Sequence, residues 1–193
     1  MKTKIYLIRH GETDYNRLKI YYGIIDIKLN KNGLFQAKRM KKYFESKTID
    51  FIYSSPLKRT IQTTKAIFGK NFIVSEDLKE MNFGEWEGLN HKQILEKYPE
   101  KYKKWLDNPL DNLIPGGEGF PLLSKRVNRF FYDLLQKHLG KTIAVVTHAG
   151  VIRTIIFQYY KKNFKSMWDI SLPPLSIIYV EFEDLKPKKL KQI

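Results

Sequence analysis

The feature that most constrains this chain is an alternation. Short apolar runs rich in β-branched residues are separated by longer segments whose apolar residues recur every three or four positions. Residues 4–8, 51–54, 72–74, 142–147 and 177–182 read as strands. Strands alternating with amphipathic helices build a mostly parallel sheet with helices on both faces. The expected fold is therefore α/β, a three-layer α/β/α sandwich with a mostly parallel central sheet.

The helix signals fit that plan. Asn30 is a plausible N-cap for a helix from Lys31 to about Ser46, with Leu34, Ala37, Met40, Lys41 and Phe44 tracing an inward stripe. Ser55-Pro56 offers an N-cap followed by proline at the first helical position, and Gly69 ends that helix. A further helix runs from about 120 to 138 through Leu123, Val127, Phe131 and Leu135, and another follows Gly150. Residues 90–120 differ: they hold Pro99, Pro109, Pro115, Gly116, Gly117 and Gly119. They read as short helices broken at Pro99, then a loop, forming a cap or lid on a single domain spanning 1–193. The tail Lys186 to Lys191 has little apolar content and reads as a fraying end.

Composition removes several functions. The chain has 193 residues and no cysteine, which excludes disulfides, thiolate nucleophiles, zinc ribbons and iron–sulfur clusters. No run reaches the ~18 apolar residues of a membrane helix, and the first apolar run is too short for a signal peptide. A cytoplasmic protein without a membrane partner is expected. The net charge of +15 raises nucleic-acid binding. The lysines are spread along the chain, as in Lys38-Arg39, Lys41-Lys42 and Lys103-Lys104, so solvated helix faces account for them and no nucleic-acid partner is expected. Part of that charge suits an anionic substrate. A homodimer remains open.

Three polar motifs follow three strands at their C-terminal ends: Arg9-His10-Gly11, Ser54-Ser55-Pro56-Leu57-Lys58-Arg59, and Thr147-His148-Ala149-Gly150. Open α/β sheets bind ligands at that edge. One architectural assumption thus gathers Arg9, His10, Arg59 and His148. Two arginine forks match phosphate oxygens. A neutral imidazole can attack phosphorus if its other nitrogen is held as a donor, and a carbonyl near Gly11 is placed to do so. Arg59 falls in the first turn of its helix, where the dipole also favours an anion. Phosphoryl transfer then needs an acid for the leaving oxygen. Glu80, Glu85 and Glu87 all qualify in Leu78-Lys79-Glu80-Met81-Asn82-Phe83-Gly84-Glu85-Trp86-Glu87, and spacing alone leaves the choice open.

The segment Leu7-Ile8-Arg9-His10-Gly11-Glu12-Thr13, with Asn16 after it, resembles the signature of the histidine phosphatase, or phosphoglycerate mutase-like, superfamily. The resemblance continues through Asp26-Ile27-Lys28-Leu29, Ser54 to Thr63, Glu80 to Gly84 and Thr147 to Arg153, nearly the whole chain. It implies His10 as nucleophile, Glu80 as proton donor, and Arg9, Arg59 and His148 as phosphate ligands with Asn16 assisting. Gly23 and Ala149 join the implied substrate-binding set. It implies no metal and no cofactor, and a small phosphorylated metabolite as partner. The mutases of that superfamily carry a longer shielding insertion between the acid and the second histidine. The stretch from Glu80 to His148 is short here, which favours hydrolysis over phosphoglycerate mutase chemistry.

Within the superfamily the chain is similar to alpha-ribazole phosphatases of adenosylcobalamin biosynthesis. That similarity rests on Glu80 to Glu87, on Ile114-Pro115-Gly116-Gly117-Glu118-Gly119-Phe120 and on Ser166-Met167-Trp168. It implies the 5′-phosphate of alpha-ribazole phosphate as substrate, with a broad-specificity or sugar-phosphate phosphatase as the alternative. Where many members carry serine after Gly-Gly-Glu, this chain has Gly119. Of the remaining candidates, His138 reads as a helix C-terminal residue favoured by the dipole. Trp86, Trp105 and Trp168 read as core, and Tyr22, Tyr102 and Trp105 lie in segments that can border the site.

Overall fold

The computed structural model describes residues 1–160 and 170–193. Ser166-Met167-Trp168 lies outside the described residues. Among the described residues six strands form one sheet: β1 (Lys2–Arg9), β2 (Phe51–Ser54), β3 (Ile73–Val74), β4 (Thr142–Thr147), β5 (Ile177–Glu183) and β6 (Lys186–Gln192). The spatial order is β3-β2-β4-β1-β5-β6. The pairs β1–β4, β2–β4 and β2–β3 are parallel, whereas β5 and β6 run antiparallel to their neighbours. The mostly parallel α/β sheet is as expected.

Among the described residues seven α-helices accompany it: α1 (Asp14–Leu18), α2 (Lys31–Glu45), α3 (Lys58–Phe68), α4 (His91–Lys97), α5 (Pro99–Asp107), α6 (Phe120–Lys137) and α7 (Ala149–Tyr159). Side chains of β4 alternate between two cores. Ile143 and Val145 join Leu123, Val127 and Phe131 of α6 and Ile152 and Ile155 of α7. Ala144 and Val146 join Ala37 and Phe44 of α2 and Ile67 of α3. A strand buried on both faces must be apolar throughout, and residues 143–146 are all fully buried. Ile94, Tyr102 and Trp105 of α4 and α5 enter the same core as α6, so residues 90–120 pack onto the sheet's layer.

Three local expectations are corrected. The buried face of α2 is Gly33, Ala37 and Phe44, with Met40 partly buried, while Leu34 is 38% exposed and Lys41 faces solvent. Gly33 sits so close to Glu12 that a Cβ there would overlap the Glu12 backbone, and this contact sets the rotation of α2. Next, α3 begins at Lys58, not at Pro56. The Ser55 hydroxyl is engaged by His148 at 2.9 Å and meets the Leu57 N–H only at 3.5 Å, while Asp26 accepts the Lys58 N–H at 2.6 Å. Finally, residues 186–192 do not fray but form the edge strand β6, reached through a two-residue turn at Asp184 and Leu185 with φ of 47° and 66°. Among the described residues no helix is long and apolar enough to cross a membrane.

Candidate active site

The three motif-bearing strands β2, β4 and β1 are adjacent and parallel, so their C-terminal ends meet at one edge. Arg9, His10, Asn16, Arg59, Glu80 and Ala149 line a single cavity of about 300 Å³ there. Gly23 and His148 do not line it. Both instead hold Arg59: its Nη2 donates to the Gly23 carbonyl at 2.6 Å, and its Nε to His148 Nδ1 at 3.3 Å.

His10 is 2% exposed. Its backbone continues β1, the N–H bonding to Thr147 and the carbonyl accepting from Leu175. Nδ1 donates to the Gly11 carbonyl at 2.8 Å, which leaves Nε2 with the free lone pair. Burial, then Arg59 and Arg9, push its pKa well below 6.5, so the ring is neutral at pH 7. The Gly11 peptide is itself anchored, its N–H donating to Thr63 Oγ1 at 3.0 Å. Thr63 lies one turn beyond Arg59 on α3 and donates to the Arg59 carbonyl at 2.7 Å. One face of α3 therefore carries the fork and steadies the imidazole.

Arg59 is fully buried without a salt-bridge partner among the described residues. Its Nη1 donates to Ile25 at 2.8 Å, and its guanidinium lies 4.7 Å above the Tyr22 ring. Arg9 donates to the Leu172 carbonyl. Burial lowers the pKa of both guanidiniums, with Tyr22 and Glu80 acting in the opposite sense. A fully buried and a half-buried cation facing one cavity, with carbonyls as their main protein partners, form a site that an anion would neutralise. The His148 ring centroid lies 5.2 Å from that of His10. Burial first, then Arg59, His10, Arg9 and Arg126, keep His148 neutral as well, and its Nε2–H donates to Ser55 Oγ.

Of the three candidate acids, only Glu80 reaches the cavity. Its carboxylate accepts the N–H of Met81 at 3.0 Å and of Gly150 at 3.1 Å. The α7 start thus serves the acid. Glu87 accepts the N–H groups of Ile24, Ile25 and Phe83, fixing the loop that holds Arg59, and Glu85 is exposed. Asn16 spends its Oδ1 on the Thr13 N–H in a capping box, which leaves its amide N–H groups as donors. Above this polar floor the walls are Tyr15, Tyr21, Tyr22, Phe83, Trp105 and Phe120, with Arg153 and Lys19 also lining.

Other expectations resolve differently. His138 caps the C-terminus of α6, as expected, but it is buried with Nε2 at 2.8 Å from the Tyr53 hydroxyl, and burial lowers its pKa, so it is a neutral core histidine rather than a dipole-bound cation. Trp86 is core, while Trp105 is both core and cavity wall. Arg153 went unmarked as a cavity residue, though its position three after Gly150 places both on one helix face. Of the pair that braces the acid's segment, Glu118 stood in the Gly-Gly-Glu motif without an assigned role, and Arg126 carried no sequence signal. Among the described residues no group of three His, Cys, Asp or Glu side chains is placed to hold a metal ion.

Comparison with known proteins agrees with this geometry. Residues 5–192 match the model of the histidine phosphatase superfamily (branch 1). Phosphoserine phosphatase 1 of Hydrogenobacter thermophilus is 30% identical, covering 97% of this chain and 90% of its own. Adenosylcobalamin/alpha-ribazole phosphatase of Escherichia coli is 29% identical, covering 86% and 83%. The crystal structure of the alpha-ribazole phosphatase from Shigella flexneri superposes with a TM-score of 0.89 at 26% identity, covering 98% of this chain and 95% of that one.

Proposed function

We propose, on the premise that this chain belongs to the histidine phosphatase superfamily and is a phosphatase, that its substrate is the phosphomonoester of a bulky aromatic alcohol, foremost alpha-ribazole 5′-phosphate. The observation that carries this reading is the contrast within one cavity. Its floor presents Arg9, Arg59 and the free Nε2 of His10, and its walls are mainly aromatic. Aromatic walls with a few polar groups suit a flat apolar ligand. Phosphoserine, the substrate named for several relatives, would bring an ammonium group. Glu80 is the sole carboxylate lining the cavity among the described residues, and it must carry the proton of the reaction.

In the proposed mechanism Arg9, Arg59 and the Asn16 amide bind the phosphoryl oxygens. His148 turns its Nε2–H from Ser55 to the anion, the stronger acceptor. His10 Nε2 attacks phosphorus, the P–O bond to the alcohol breaks, and the Glu80 carboxyl gives its proton to the leaving oxygen. The Gly11 carbonyl holds the Nδ1–H throughout and supports the charge formed on the ring. Water then attacks the phosphohistidine, Glu80 takes its proton, and inorganic phosphate leaves. No step calls for a metal or another cofactor. The enzyme works in the cytoplasm on a small metabolite, with the wall around Trp105 and Pro109 acting as its cap.

The test is kcat/KM for alpha-ribazole 5′-phosphate, phosphoserine, 3-phosphoglycerate and a set of sugar phosphates. A clear preference for the first is expected. Comparable values across the set would favour a broad-specificity phosphatase, and a preference for phosphoserine would refute the aromatic reading.

A further inference from the structure

The proton donor proposed above sits on a segment without regular structure. Residues 79–83 lie between two short 3-10 turns, and chain geometry alone does not fix them. The fixing group comes from α6. Arg126 has five N–H donors, and five bonds leave its guanidinium. Nε donates to Glu118 Oε1 at 2.7 Å and Nη2 to Glu118 Oε2 at 2.8 Å, a bidentate fork. Nη1 donates to the carbonyls of Asp77 and Lys79, both at 2.7 Å, and Nη2 to that of Glu80 at 3.1 Å. Glu118 closes the loop: its N–H donates to the Asn82 carbonyl at 2.8 Å, and its carboxylate accepts the Asn82 N–H at 3.4 Å. Arg126 and Glu118 are half-buried and do not line the cavity.

We infer that Arg126, clamped by Glu118, is a positioning residue for the general acid. It holds the carbonyls on both sides of Glu80 so that the carboxyl is presented to the leaving oxygen. The inference rests on the proposed role of Glu80, and not on which alcohol is the natural one. The nucleophile and the phosphate forks stand on β1 and α3, which Arg126 does not touch. Releasing this clamp therefore disturbs protonation of the alcohol and spares phosphate binding. Lysine cannot replace it, since a point ammonium has three donors and no fork.

The experiment compares Arg126→Lys with the wild type on an alkyl phosphate, whose leaving group needs a proton, and on nitrophenyl phosphate, whose leaving group does not. Inorganic phosphate inhibition and thermal melting accompany both. Expected is a loss of about tenfold or more in kcat/KM on the alkyl phosphate, which reads formation of the phosphoenzyme and not its hydrolysis. The kcat/KM for nitrophenyl phosphate and the phosphate inhibition constant should stay near wild type. Glu118→Gln, which keeps the shape and weakens the fork, should show the same selectivity in smaller measure, and it stands in if Arg126→Lys does not fold. Equal losses on the two substrates would overturn the inference and assign the clamp to stability alone. Glu80→Gln separates the two levels. If it is selective and Arg126→Lys is not, only the clamp fails. If neither is selective, the acid assignment falls and the clamp with it. In the double variant, Arg126→Lys should add no further selectivity.

Discussion

Gly150 offers a substitution that should divide activity from stability. The residue stands in the first turn of α7, and its N–H donates to Glu80 Oε2. A Cβ built there would overlap Glu80 Oε1 and lie 3.1 Å from the carboxyl carbon and 3.5 Å from Oε2. Comfortable contacts lie near 3.5–4.0 Å, so in Gly150→Ala the carboxylate must retreat by about 1 Å. The obstacle is the end of a side chain, so the backbone can stay in place. Alanine favours helix over glycine by up to about 1 kcal/mol, and a weakened hydrogen bond costs about as much. The two nearly cancel, and the melting temperature should move by no more than about 4 °C. A 1 Å displacement of a reacting group can cost about 100-fold, so kcat/KM on an alkyl phosphate should fall by about that factor. For nitrophenyl phosphate, whose leaving group needs no proton, kcat/KM should stay close to the native value. Parallel steady-state assays and melts decide the matter. Equal losses on both substrates, or a melting temperature that collapses, would refute the reasoning.

Other expectations concern the nucleophile, pH and metals. His10→Ala should abolish turnover and the acid-labile phosphoenzyme, and trapping a phosphoenzyme in that variant would remove His10 from its role. His10 and His148 both have pKa values pushed well below 6.5, whereas their rings in the unfolded chain protonate near 6.5. Below that pH the unfolded chain binds more protons. The stability these neutral rings contribute is complete above about pH 6.5 and is lost as pH falls, at up to about 1.4 kcal/mol per pH unit for each proton. Urea midpoints at pH 7.5 and pH 5 measure this, and a flat or rising midpoint on acidification would contradict it. A chelator should leave turnover unchanged, and a loss restored by a divalent cation would require a different mechanism.

The parallel sheet was legible because its central strands bury both faces, and Thr142 to Thr147 carries that mark along its whole length. The motif residues were legible because strand ends at one sheet edge must converge. What stayed hidden was decided by contacts distant in the chain. The rotation of α2 depends on Gly33 against Glu12, so the apolar residue Leu34 misled the pattern. Ser55 had the right chemistry for a cap, but its hydroxyl is shared, with His148 at 2.9 Å and the Leu57 N–H at a long 3.5 Å. The β5–β6 hairpin turns on Asp184 and Leu185, a pair without the glycine that usually marks such a turn. Arg126 looked like an ordinary helix charge, and Glu118 was marked only as part of the Gly-Gly-Glu motif, because the segment they brace lies more than thirty residues earlier.

The edge strand gives the basic C-terminal residues a task that needs no ligand. Among the described residues β6 is the last strand on its side of the sheet, so one row of its peptide groups has no neighbouring strand there. Such a row is a template on which another chain can grow. Here that margin carries Pro187 beside Lys186, Lys188, Lys189 and Lys191, all exposed. An incoming strand would meet mutual repulsion and a missing donor. Part of the charge excess is thereby accounted for as protection against fibrous assembly. Exchanging these lysines for threonine should leave catalysis intact and shorten the time the protein stays dispersed at high concentration.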